Sequence, residues 1–115
     1  MKELTDTTDV EKFVLRTPES VRVFAFFRAK RGSSSELQRI LLSLVEPTRK
    51  EPGNIAYVLH THEDDRHYLM FDEVWINRKA LEEHLQMPYI QSLHKRIEHL
   101  IEDPPRIEIY REVLS

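Results

Sequence analysis

Residues 54–76 read NIAYVLHTHEDDRHYLMFDEVWI, and the fold turns on how that stretch divides. Asn54 to Thr61 is rich in β-branched and aromatic residues and predicts a strand. Glu63-Asp64-Asp65 supplies a polar hairpin, and His67 to Ile76 predicts the returning strand. Upstream, Val21 to Ala29 (VRVFAFFRA) predicts another strand. Between them, Ser33-Ser34-Ser35-Glu36 has the spacing of a capping box. Leu37, Ile40, Leu41, Leu44 and Val45 then recur at helical intervals. Pro47 is expected to kink or end that helix, and Glu51-Pro52-Gly53 closes the segment. Downstream, Asn77 is placed to cap a helix over Arg78 to Leu85. Pro88 opens a second helix with Tyr89, Leu93, Ile97 and Leu100 on one stripe. Asp103-Pro104-Pro105 breaks it, and Arg106 to Val113 alternates as a last strand. The order β-α-β-β-α-β predicts an α+β, ferredoxin-like protomer with an antiparallel sheet.

The 115 residues make one domain, 21–115, with residues 1–20 as a polar N-terminal appendage. The appendage holds a short helical candidate, Val10 to Leu15, with Asp9 as its cap and Thr17-Pro18 as its stop. A composition of 40% apolar and 32% charged residues is that of a folded globular chain. Seventeen Lys and Arg against twenty Asp and Glu leave a net charge of −3. No basic excess draws in nucleic acid or an anionic membrane. With no cysteine, thiolate nucleophiles, disulfides and Cys-ligated metals are excluded. No apolar stretch approaches the roughly 20 residues that a bilayer requires, and MKELTDTTDVEK has no signal-like core. A cytoplasmic location is expected.

The predicted strands are apolar on both faces. In the third, Leu69, Phe71 and Trp75 alternate with Tyr68, Met70, Val74 and Ile76. Two helices cover only one face of a four-stranded sheet, so the other needs a lid, and a second copy of the chain is the expected one. Asp72 and Glu73 interrupt the same strand and point to opposite faces. Each requires a cation, a donor or a ligand pocket to offset its burial. His84 lies beside Leu81 and Leu85, and His94 beside Leu93. Either is a boundary histidine or a titrating group, and the two helices are close enough in sequence for the side chains to converge on one cavity. His60-Thr61-His62 has the spacing of a strand-borne metal pair, yet its neighbours Asp64 and His67 belong to a polar hairpin, so no metal is expected. Tyr57, Trp75 and Tyr89 are core aromatics or the walls of a pocket. Two glycines in the whole chain leave no phosphate-cradling loop, and Ser33 to Ser35 match no nucleophile elbow.

Taken in order, Glu51-Pro52-Gly53, Tyr57, Glu73-x-Trp75, Ala80, His84-Leu85 and Pro88-Tyr89 resemble the motif set of the antibiotic biosynthesis monooxygenase superfamily. The resemblance covers about residues 21–113. It implies a dimeric α+β barrel, built by protomers that join through their sheets, in agreement with the lid argument. It further implies a range of activities. Some members oxidise quinols or phenolic aromatics with dioxygen and no cofactor. Others isomerise a phosphorylated dicarbonyl compound, others degrade haem, and others have no demonstrated turnover. The haem-degrading pattern calls for an asparagine, a tryptophan and a histidine where this chain has Ala25, His84 and His94, so that branch is discounted. The quinol-oxidising pattern is met by Glu73, Trp75 and His84. The resemblance then implies His84 as the base that deprotonates a phenol or quinol. Glu73 would orient the imidazole or hold a proton, while Trp75, Tyr57, Tyr89 and His94 would bind substrate. A non-catalytic dimer that binds a small aromatic or carbonyl molecule is the reading from a different class.

Overall fold

The computed structural model describes residues 19–113. The helical candidate over residues 10–15 lies outside them. The elements run β1 (Val21–Arg28), α1 (Ser34–Leu42), α2 (Val45–Arg49), β2 (Asn54–Thr61), β3 (Tyr68–Trp75), α3 (Arg78–Leu85), α4 (Pro88–Gln91), α5 (Leu93–Ile97) and β4 (Arg106–Arg111). All strand pairs are antiparallel and the sheet order is β2-β3-β1-β4. This is the ferredoxin-like α+β arrangement that the sequence predicts.

Register decides which side chains meet the helices. Val21, Val23, Ala25 and Phe27 of β1 stand opposite Trp75, Glu73, Phe71 and Leu69 of β3, and all eight are buried. They pack against Leu37, Leu41 and Leu44 of the first helical segment and against Leu81 and Ile97 of the second. On the other face Phe24 and Phe26 oppose Asp72 and Met70, with only partial cover. Val58 and Tyr68 are exposed there. A one-residue slip of β3 would carry Glu73 and Trp75 out of the core, so the buried face itself fixes the register.

The helical layer differs from expectation in three places. The first helix does not end at Pro47. It breaks at Ser43–Leu44, and Pro47 is the third residue of α2. A continuous helix would drive the Pro47 ring into the carbonyl of Ser43, four residues earlier, whereas in a first turn the missing N–H has no intrahelical partner to lose. The helix opened by Pro88 is likewise two short helices with a break at Ser92. The capping box is not made. Ser33 occupies the N-cap with φ −110° and ψ 0° and gives no side-chain cap. Asn77, in the extended conformation that capping requires, accepts the Ala80 N–H at 2.9 Å. The last strand stops at Arg111, two residues short of the predicted end.

Gly53 explains the tight return from α2 into β2. A Cβ placed there would lie 2.3 Å from the Ala80 Cβ and 3.4 Å from Ile76 Cγ1. The Gly53 carbonyl also accepts the Ile76 N–H at 3.0 Å. Only a residue without a side chain lets the turn after α2 lie against the start of α3, and that contact brings Glu51 towards His84. Gly53→Ala is therefore expected to cost about 1–3 kcal/mol of stability, read as a lower midpoint in urea with an unchanged slope.

Candidate active site

Two carboxylates, one imidazole and four aromatic rings gather between the sheet and the second helical segment. His84, on α3, is 4% exposed at its side chain, and Glu51, in the turn after α2, is 7% exposed. The His84 Nδ1 and the Glu51 Oε2 are 2.8 Å apart. The same Oε2 accepts the hydroxyl of Tyr89 from α4. An oxygen that accepts from a phenol in this way accepts from Nδ1 as well, so Nδ1 carries the imidazole proton and Nε2 is the basic nitrogen.

The turn holds Glu51 by its backbone. Its N–H donates to the Thr48 carbonyl and its own carbonyl accepts from Asn54, each at 3.0 Å. Around the imidazole, the Trp75 ring lies at 4.5 Å between centroids, Tyr57 at 5.6 Å and Tyr89 at 6.4 Å. Tyr57 in turn stacks on Phe71 at 4.4 Å. Glu73 is buried on the same face, where its Oε1 accepts the indole N–H of Trp75 at 3.0 Å.

Burial sets the protonation of these groups. It lowers the His84 pKa from its ordinary 6.5, and the hydrogen bond and charge of Glu51 offset part of that fall. The ring is thus neutral at pH 7. Glu73 is pushed up to about 7, first by burial and then by the charges of Asp72 and Glu51, against the opposing effect of the Trp75 N–H. The Tyr89 hydroxyl is pushed up to about 12 by burial and by its bond to Glu51. Burial also raises Tyr57, aided by the charge of Glu73.

Five of the six site residues expected from the sequence, His84, Glu73, Trp75, Tyr57 and Tyr89, thus come together. The sixth, His94, does not join them. It is 76% exposed on α5 and ion-pairs with Glu98 at 3.0 Å, because the break at Ser92 separates its helix from the one that carries Tyr89. The imidazole partner also differs from expectation. Glu51 holds His84, while Glu73 is engaged by Trp75. Glu51 had entered the sequence reading only as part of the Glu-Pro-Gly turn, 33 residues before His84, and that motif was the available signal. Asp72 faces the other side of the sheet, where Arg22 grips it through two bonds at 2.7 and 3.0 Å.

A separate cleft of about 500 Å³ lies on the open face, between Phe26, Arg28, Tyr68, Met70, Asp103 and Arg106. Its arginines are engaged, Arg28 by Asp103 at 3.2 Å and Arg106 over the Phe26 ring at 4.4 Å. The cleft belongs to the sheet surface that lacks a helical cover, and the acid–base groups lie on the opposite side. In the hairpin the His62 Nδ1 accepts the Asp64 backbone N–H at 3.0 Å, and the His67 Nδ1 lies 2.9 Å from the Asp65 carboxylate. Among the described residues, no three His, Asp or Glu side chains are placed to hold a metal ion.

A family model of antibiotic biosynthesis monooxygenases matches residues 20–96, a span that contains the whole cluster. The chain belongs to this family. It is similar to an uncharacterized protein, sll1783, from Synechocystis sp., with 33% identity over 84 residues that cover 73% of this chain and 57% of the other. The match therefore spans a little over half the length of that relative. Among solved structures it is similar to protein SO0527 from Shewanella oneidensis, with a TM-score of 0.80, 28% identity and coverage of 86% of this chain and 96% of that one. It is also similar to PA3566 from Pseudomonas aeruginosa, with a TM-score of 0.79, 27% identity and coverage of 84% and 96%. Among the described residues, no helix is long and apolar enough to cross a membrane.

Glu73 gives a sharp test of this electrostatic picture. Its folded pKa of about 7 lies above its ordinary 4.5. The stability it contributes is present below pH 4.5 and is lost as pH rises through 7, by about 3 kcal/mol in all. Glu73→Gln keeps an acceptor for the indole N–H and has no charge to bury. The variant should gain stability over the native chain as pH goes from 4.5 to 8, measured by denaturant unfolding at each pH. A constant difference would show that Glu73 is ionised without cost.

Proposed function

We propose that this member of the family is a cofactor-independent monooxygenase that oxidises a quinol or phenolic aromatic with dioxygen, and that it works as a homodimer joined through the open sheet faces. The observation that carries the reading is the buried, neutral imidazole of His84, held at Nδ1 by Glu51 and walled by Trp75, Tyr57 and Tyr89.

A base in this state suits a phenol. Nε2 takes the hydroxyl proton of the substrate, and the electron-rich ring that results reacts with dioxygen at carbon. The imidazolium returns that proton to the peroxide. His84 then takes the proton from the oxygenated carbon as the O–O bond breaks, and the departing hydroxide leaves with a proton as water. One oxygen atom stays as a quinone carbonyl and the other becomes water. The substrate supplies all four electrons, so the balance closes with dioxygen alone. Apolar walls around the anion exclude water and strengthen its interactions with the protein. Glu73, with a pKa of about 7, is a second proton-holding group beside the indole.

The charge of the cluster favours this substrate class over a phosphorylated dicarbonyl. Two carboxylates stand in it, and among the described residues no Lys or Arg side chain pairs with Glu51, Glu73 or His84. Arg49 reaches the group only at the Tyr57 backbone carbonyl, at 3.0 Å. The dimer reading is supported by the face that β1 and β3 leave open, with Phe24, Phe26 and Met70 partly covered and Val58 and Tyr68 exposed.

Dioxygen uptake across a panel of quinols and phenols tests the proposal. The native protein should consume oxygen above the autoxidation blank. His84→Ala and the closer-sized His84→Gln should lose the rate by about 10²–10⁴-fold while keeping fold and dimer by circular dichroism and light scattering. Uptake that survives both substitutions would remove His84 from the mechanism. No uptake with any substrate, together with a ligand-induced rise in melting temperature, would make the chain a binding protein.

A further inference from the structure

One oxygen of Glu51 serves two donors from two different elements. Oε2 accepts from Nδ1 of His84, on α3, and from the hydroxyl of Tyr89, on α4. The two partners are not held alike. His84 is 3% exposed, and α3 is anchored by its Asn77 cap and by buried Ala80 and Leu81. Helix α4 has four residues, none of them buried, and ends at the break at Ser92. Tyr89 is the one half-covered aromatic of the cluster, whereas Tyr57, Phe71 and Trp75 are 2%, 1% and 0% exposed. A four-residue segment anchored only by the part-buried Tyr89 and Ile90 opens at lower cost than the fully buried elements behind it.

We propose that Glu51 is the positioning residue that fixes His84 with Nε2 as its basic nitrogen, and that the Tyr89 hydroxyl is a latch on the same carboxylate oxygen, so that withdrawal of Tyr89 both admits substrate and leaves Glu51 wholly to the imidazole. The proposal rests on the reading of His84 as the base. While Tyr89 is bound, the charge on Oε2 is shared between a phenol and an imidazole, and each bond weakens the other's claim on it. When Tyr89 swings out, the imidazole keeps a full anionic partner and becomes the stronger base. The base is thereby strongest when the cluster is open to substrate. The other groups that face the ring are Tyr57 from β2 and Trp75, and through it Glu73, from β3. Glu82 and Glu83, on His84's own helix, are exposed, and Glu82 pairs with Arg78.

The test reads the imidazole and the indole directly, independently of turnover. Nitrogen-15 NMR of the full chain gives the tautomer and titration of His84, and acrylamide quenching reports access to Trp75, the single tryptophan. In the native protein Nδ1 should carry the proton. Tyr89→Phe should shift the His84 inflection upward and steepen the quenching of Trp75. Glu51→Gln should shift the inflection downward, abolish the tautomer preference and, where turnover is measured, lower kcat by roughly tenfold or more with little change in KM. An inflection that stays in place in both variants, or moves the opposite way, overturns the coupling. Quenching unchanged in Tyr89→Phe overturns the latch. If the shifts follow as expected but no variant consumes oxygen with any quinol, the coupling stands and the oxygenase reading falls.

Discussion

A carboxylate and an imidazole share the dry space between the sheet and α3, where burial works against the ionic form of each. Glu51 and His84 tolerate that space because each supplies what the other lacks there, an anion for the N–H and a donor for the oxygen. Much of the structure serves this one contact. Gly53 admits the turn that carries Glu51, Asn77 starts the helix that carries His84, and the β1–β3 register sets Trp75 beneath the ring. Removing either partner would strand a polar group in the core, so the pair is a constraint on folding as well as a site.

Burial comes first in raising Glu73, and its charged neighbours add to that rise. Both glutamates are buried, yet Glu51 receives two donors while Glu73 receives one indole N–H and lies within the field of Glu51 and Asp72. A carboxyl with a single donor in a dry, negatively charged place holds its proton to a higher pH. The cluster thus keeps a neutral imidazole and a group that titrates near 7 within one set of aromatic walls. That combination lets protons be taken up and returned near physiological pH without an exposed acid or base.

Most of the fold was legible in the sequence because it follows from local rules. Asn54–Thr61 and Arg78–Leu85 are the observed β2 and α3 to the residue, since alternation, an Asn cap and flanking turn residues act over short distances. Pro47 announced an interruption of the first helix but not its place at Ser43, and the break at Ser92 was not legible at all. The apolar stripe continues across each of them, and a periodic pattern reports which side is buried, not whether the backbone is continuous. His94 was misplaced because it was read from its neighbour Leu93 on the stripe, whereas its own side chain is exposed and pairs with Glu98. Glu51 was missed as an ionic partner because its local role, closing a helix before Pro52-Gly53, already accounted for it. Its partner lies on another element, and no spacing rule links them. The five aromatic and titratable residues that do converge were legible one by one, but their contacts were not.

The proposed ionisation of a phenol through His84 can be seen without any oxygen chemistry. A quinol or phenol bound under strictly anaerobic conditions and titrated by absorbance should carry a larger fraction of its anion at each pH in the native protein than in His84→Gln. An anion fraction no larger in the native protein than in His84→Gln at any pH would contradict the account, because an imidazole that does not favour loss of the proton is not the base that starts the reaction.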